Sequence, residues 1–382
     1  MGSLIRDRAA STPQMLAVFG DEALLASALA FEAALARAQA AEGLIGTEAA
    51  VLIADACAAP FDISTLADAA SHAGALAIPL VVELRARLRS IDPAAAAAVH
   101  RGATSQDVAD TALMLQAKAG LELVERDLGR IAIALEALAR THAATPMLAR
   151  TLMQSAAPTT FGLKVAQWRA AILEASVRIR HERKAALALQ LGGAAGTLSG
   201  LQGRGQAVAR RMAEDLGLAA PLGPWHARRG AIAGLGAGLA IATGSVGKIA
   251  RDLALLAQGE VGEAFEPRVA GRGGSSAMAH KRNPTGCQVA LSAAVRTPHL
   301  AATLMSALCD EHERGLGGWQ AQAPVLVELF EVSHGAIAAI ANVVEGLDID
   351  TVAMARNLAA AAVGEDFGEA EGLVRRLLED DG

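Results

Sequence analysis

Two apolar seams set the terms on which this chain can fold. Ile232, Leu235, Leu239, Ala242, Val246, Ile249, Leu253 and Leu256 follow one another in alternating steps of three and four. That spacing keeps them on one helix face straight through the charged residues Arg251 and Asp252. Met114, Ala117, Leu121, Val124, Leu128, Ile131, Leu135 and Leu138 repeat the pattern, with charged residues on the other faces. A seam of this length needs partner helices to cover it, so two of them predict a bundle of long helices.

Proline spacing points the same way. Proline lacks the N–H that a helix interior uses, and its ring meets the carbonyl four residues back. The chain has no proline between Pro93 and Pro146, between Pro158 and Pro221, between Pro224 and Pro267, or after Pro324. Each gap is long enough for an extended helix, strand-like alternation is confined to short segments, and no internal repeat stands out. The expected fold class is all-α. An N-terminal helical part is expected over 1–101, a central long-helix bundle over 102–310 carrying a loop at 268–284, and a C-terminal helical part over 311–382.

Gly230, Gly234 and Gly238 stand at four-residue spacing at the start of the first seam. Each costs a helix about 1 kcal/mol relative to alanine, and close approach of a neighbouring helix is the expected compensation. The uncharged stretch 231–247 is the one membrane suspect, but it sits at the short edge of the roughly 17 to 25 residues a span requires. A net charge of −6 provides no overall basic field for nucleic acid or an anionic membrane. Residues 1–8 mix charges instead of forming a signal-peptide core. Cys57, Cys287 and Cys309 have neither metal-ligand nor disulfide-framework spacing and are expected to be reduced and buried in a cytoplasmic protein.

Chemistry concentrates in residues 273–284, Gly-Gly-Ser-Ser-Ala-Met-Ala-His-Lys-Arg-Asn-Pro. Glycines let backbone N–H groups turn inward on an anion, and Lys281 and Asn283 can donate to a carboxylate. Alone, the segment is equally what a solvated surface loop looks like. Two further segments accompany it. Residues 100–107 read His-Arg-Gly-Ala-Thr-Ser-Gln-Asp, and residues 149–154 read Ala-Arg-Thr-Leu-Met-Gln, followed by Pro-Thr-Thr-Phe-Gly at 158–162.

In this order the three segments resemble the three separated signature regions of the fumarase/aspartase superfamily. The resemblance implies that Ser275 is the catalytic acid/base and that Lys281 supports it and, with Asn283, binds a substrate carboxylate. Thr104, Ser105 and Gln154 would bind substrate, Arg150 a second carboxylate, and His100, Ser276, Met278 and His280 would line the site. It further implies a homotetramer whose central helices form a joint bundle, with each active site assembled from three subunits, no metal or other cofactor, and a reduced C-terminal part. The expected partner is a small polycarboxylate substrate, with no nucleic acid and no membrane.

Three departures qualify the match. Ala279 stands where the superfamily pattern has proline, and Ala75 where the lactonising branch often has asparagine. Leu152 stands where lyases of the adenylosuccinate and argininosuccinate type have a histidine, and leucine cannot carry a proton. The resemblance therefore narrows to the lactonising branch, the bacterial 3-carboxy-cis,cis-muconate cycloisomerases of protocatechuate breakdown. Pro224-Trp225-His226 with Arg229, the run Val-Gly-Glu-Ala-Phe-Glu-Pro at 261–267, His312-Glu313-Arg314 and Trp319 add to it. Trp225, His226 and Trp319 read as structural, and the roles of His312 and Arg314 stay open. The alternatives are a fumarate-releasing lyase, a sulfomuconate cycloisomerase and a helical scaffold without activity.

Overall fold

The computed structural model describes residues 4–274, 278 and 281–379. Short and medium helices come first: α1 (Leu4–Ala10), α2 (Pro13–Val18), α3 (Asp21–Ala41), α4 (Thr47–Ala58), α5 (Ile63–Ala73), α6 (Ala77–Arg89) and α7 (Pro93–Ala98). The long α8 (Ser105–Thr141) leads into a hairpin, β1 (Pro146–Thr151) and β2 (Gln154–Thr160), and then into α9 (Phe161–Ala186) and α10 (Gly205–Leu216). The rest comprises α11 (Gly230–Leu256), β3 (Ala264–Phe265), α12 (Thr285–Ser306), α13 (Gly318–Glu345), β4 (Asp348–Ile349), α14 (Thr351–Ala361) and α15 (Ala370–Glu379).

The seams do what their spacing demands. All eight apolar residues of the α11 seam are buried, as are Met114 through Leu135 of the α8 seam. They enter one core with α9, α12 and α13. At 37 residues, α8 is about 55 Å long at 1.5 Å per residue, so its two ends serve distant parts of the molecule. Of the three glycines expected to admit a neighbouring helix, Gly234 does so, since a Cβ there would run into Glu182 of α9, whereas Gly238 would make ordinary contact and Gly230 faces open space; further close approaches by other helices fall at positions not anticipated. A Cβ at Gly236 would come within 2.3 Å of Leu304, and one at Gly247 within 2.8 Å of Ala294. By length and composition α3, α11 and α13 are each apolar enough to cross a membrane, but half or more of each is buried inside the protein.

A second core gathers α3 to α8 around Phe31, Leu80 and Leu84 and takes in Leu189, Leu191, Leu201, Val208 and Met212. Core membership thus crosses both boundaries expected from proline spacing. Residues 189–213 join the N-terminal core, and α13, which begins beyond 310, is a bundle helix. Proline gaps mark how long a helix is, not what it packs on.

Other expectations need correction. The fold is predominantly helical and, among the described residues, carries two small antiparallel sheets, β1 with β2 and β3 with β4. Pro298 and Pro324 lie inside α12 and α13. Both are exposed, so each ring lies on the solvent side of its helix. Cys57 and Cys287 are buried, with burial pushing the Cys57 thiol up to about 12, whereas Cys309 is exposed.

Candidate active site

The first signature segment forms the start of α8. Thr104 is the N-cap, and its N–H donates to Asp107 Oδ2 at 2.9 Å. Asp107 is fully buried and also accepts from Gly192 N–H (3.0 Å), Gly193 N–H (2.9 Å) and His226 Nε2 (2.6 Å). Four partners on one carboxylate fix the turn before α8 against the 192–201 loop. Gly102 has φ +75, and a Cβ there would meet Leu201 at 2.7 Å, so the turn requires glycine. His100, also at positive φ, places Nδ1 2.6 Å from Oε1 of the buried Glu32.

One turn further, Asp110 accepts two bonds from the buried Arg229 (2.7 and 2.9 Å) and one each from Gln106 and Gln190. Arg229 Nε in turn donates to Gln322 of α13. Sequence reasoning passed over Asp107 and Asp110, although they continue the α8 seam backwards at the same steps of three and four. Acids in seam positions signal a buried, fully partnered network. Above this network Arg314 donates to Thr104 Oγ1 at 2.7 Å and approaches Ser105 Oγ and Gln106 Oε1 at 3.4 Å. It has no carboxylate partner among the described residues.

The second segment is the β1–β2 hairpin. Leu152 and Met153 form its two-residue turn, both at positive φ (51 and 66). Such turns favour Asn-Gly or Asp-Gly, which is why no hairpin signal was legible here. The apolar tip stands out in solvent, with Leu152 96% and Met153 70% exposed. Gln154 is exposed beside it. Arg150 turns inward and makes a two-pronged ion pair with the buried Glu263 at 2.9 and 2.7 Å.

The third segment closes at its base. Asn283 N–H donates to Gly273 O at 2.9 Å, and Gly273, at φ +68, leaves no room for a Cβ beside Asn283. Lys281 N–H donates to Met278 O at 3.1 Å, and Met278 is exposed. Glu266 accepts the N–H groups of Gly286 and Cys287 at 3.0 and 2.7 Å, seating the start of α12. Arg282 bonds Asp348 and Glu266 O and lies over the Phe265 ring. The run 261–267 is therefore a brace whose Glu263 holds the hairpin and whose Glu266 holds the loop. Ser275, Ser276 and His280, with Ala279, lie outside the described residues.

Within one chain the segments line different cavities. Lys281 and Asn283 border one of about 290 Å³, Ser105 one of about 370 Å³ with Ala75 and Trp319, and Arg150, Leu152 and Met153 one of about 420 Å³. The structure brings Thr104, Ser105 and Arg314 together, and separately Lys281 and Asn283. It commits Arg150 to Glu263 and His100 to Glu32. The buried His226 and Trp225 support the first segment, Trp225 through a bond from its indole to Leu189 O at 2.9 Å.

A family model described as Lyase matches residues 7–298. A 3-carboxy-cis,cis-muconate cycloisomerase of Bradyrhizobium diazoefficiens is 49% identical over 92% of this chain and 78% of its own length. A nitrosuccinate lyase of Streptomyces davaonensis is 44% identical over 91% of this chain and 75% of its own. The crystal structure of a 3-carboxy-cis,cis-muconate lactonizing enzyme from Pseudomonas putida superposes with a TM-score of 0.88 at 38% identity, covering 99% of this chain and 87% of that one. Signature segments, long-helix bundle and matches of this extent together show that the chain belongs to the lyase family of the fumarase/aspartase superfamily.

Proposed function

We propose that the protein is a cycloisomerase that converts 3-carboxy-cis,cis-muconate to 4-carboxymuconolactone. One substrate carboxylate adds to a carbon of the molecule's own double bond, forming the C–O bond of a five-membered lactone. The electron pair displaced from the double bond collects on the neighbouring carbon, next to a carboxylate, as an enediolate-like species. A proton delivered to that carbon completes the isomerisation with no atom lost.

The costly species is the enediolate, and preorganised donors lower its energy. Lys281 and Asn283, braced by the closed loop base, and Thr104 and Ser105, braced by Asp107 and Arg314, supply cations, N–H and O–H groups of the required kind. Ser275 is assigned the proton. The three segments would meet between subunits of a homotetramer, each site drawing Thr104 and Ser105 from one copy, Gln154 from a second and the 273–284 loop from a third. Symmetry would then account for a hairpin tip that stands out in solvent, with Leu152 96% exposed.

The observation that carries this reading is Leu152. A hairpin tip with leucine where the elimination branch holds a histidine offers apolar surface and no proton. Lactonisation with a single serine acid is compatible with that tip, and the 49% identical relative is a cycloisomerase. Replacing Ser275 with alanine tests it. Turnover should fall by about 10²- to 10⁴-fold with oligomer and melting temperature unchanged; near-normal turnover would remove Ser275 from the mechanism.

A further inference from the structure

A substrate with three carboxylates needs cations that the protein has not already neutralised. Arg150 is taken by Glu263, Arg229 by Asp110 and Arg282 by Asp348. Lys281 and Arg314 are without carboxylate partners among the described residues, but Lys281 lies in the third segment and Arg314 sits against the first. The hairpin segment, having lost Arg150 to Glu263, would contribute no charge to the substrate. The cavity under its tip holds the replacement.

That cavity, of about 420 Å³, is walled by Leu152 and Met153 on the hairpin, Leu255 on α11, and the amine-bearing Lys164 and Lys248. Lys248 is paired with Asp252 at 2.5 Å, and the same carboxylate accepts Trp168 Nε1 at 2.8 Å. Lys164, at the start of α9, makes no hydrogen bond or ion pair among the described residues. A largely desolvated ammonium with no carboxylate in direct contact is costly, and a bound substrate carboxylate would supply that contact. Resting on the cycloisomerase reading, we propose that Lys164, not Arg150, is the cation with which the hairpin segment holds a substrate carboxylate. Leu152, Met153 and Leu255 then cover the adjoining hydrocarbon, which gives the apolar tip a binding role.

The proposal has a protonic signature. Burial holds the Lys164 amine below the ordinary lysine range, with Asp252 and Glu263 opposing and Lys248 and Arg150 adding to the shift. Those are the charged groups that face it, from α11, β1 and the 261–267 run. A carboxylate bound to the ammonium raises its pKa again, so binding takes up protons and weakens as pH rises through the pKa of the free enzyme.

Calorimetric titration of the purified full-length oligomer with propane-1,2,3-tricarboxylate, in buffers of different ionisation enthalpy, reads both affinity and proton uptake. In a series of titrations carried up into the alkaline range where a lysine amine loses its proton, wild type should bind with uptake. Lys164→Met should bind at least about tenfold more weakly and without uptake. Lys164→Arg, whose charge does not titrate, should bind within about threefold of wild type, also without uptake. Unchanged affinity in Lys164→Met, uptake persisting in Lys164→Arg, or no binding by wild type would each overturn the assignment. Because binding is read without turnover, Lys164-dependent binding in a protein that leaves the muconate unreacted would overturn only the cycloisomerase reading. Turnover indifferent to Lys164→Met would overturn only this one.

Discussion

Arg150 and Glu263 face each other through two parallel hydrogen bonds, at 2.9 and 2.7 Å, with Glu263 fully buried. Glu263 also accepts Asn357 Nδ2 at 2.7 Å. The pair anchors β1 to the run that seats the signature loop, so Arg150 reads as a brace. Arg150→Met leaves a buried carboxylate with one neutral donor and should cost about 3 kcal/mol. Urea unfolding measures this. An unchanged midpoint together with a raised KM would return Arg150 to substrate binding.

Asp107 is the corresponding brace for Thr104 and Ser105. Asp107→Asn keeps the shape but turns an amide N–H₂ towards donors that need an acceptor. The expected cost is about 2 to 3 kcal/mol, with kcat/KM reduced by about 10² through displacement of the Thr104 turn. Thermal melts and steady-state kinetics separate the two effects. Wild-type kinetics in a folded Asp107→Asn would mean that the network does not position the site.

These braces also show what the sequence makes legible. The α8 and α11 seams were readable because helix periodicity writes burial directly into spacing, and every α11 seam residue is buried. Thr104, Ser105, Lys281 and Asn283 stand out as candidates because they sit in contiguous motifs. The ion pair of Arg150 left no signal because its partner lies 113 residues away, and an arginine before a strand turn looks the same whether it faces a ligand or a buried glutamate. Lys164 left no mark at all. Its distinction is the lack of a partner, which only the packing of α9 against α11 and the hairpin reveals.

Stability should depend on pH through His334. Its imidazole is buried between Thr12 (2.9 Å) and Asp127 (3.0 Å), and burial holds it below the ordinary histidine range, with Asp127 opposing. The unfolded chain takes the proton near pH 6.5 while the folded one resists it. Stability is therefore full above about 6.5, falls as pH drops below it, and levels once pH passes the folded value. His142, also shifted down by burial, acts with the same sign. His334→Gln should remove part of this slope in urea midpoints collected across that window; an unaltered slope would assign it elsewhere.

A site shared between subunits predicts complementation. Ser275→Ala and Ser105→Ala variants, each inactive alone, damage different segments. Unfolded together and refolded as mixed tetramers, they should regain about a quarter of wild-type sites, since two independent segments must both be intact. No recovery, with mixed oligomers verified by mass spectrometry, would place Ser105 and Ser275 of one chain in the same site.

The most direct measurement is to present the purified protein with 3-carboxy-cis,cis-muconate, adenylosuccinate and nitrosuccinate in separate reactions, following conjugated-diene absorbance and fumarate release. The expected result is rapid loss of the diene with formation of the lactone, and no fumarate from the succinate compounds. Fumarate release with the muconate left intact would contradict lactonisation and return the chain to the elimination chemistry that Leu152 argues against.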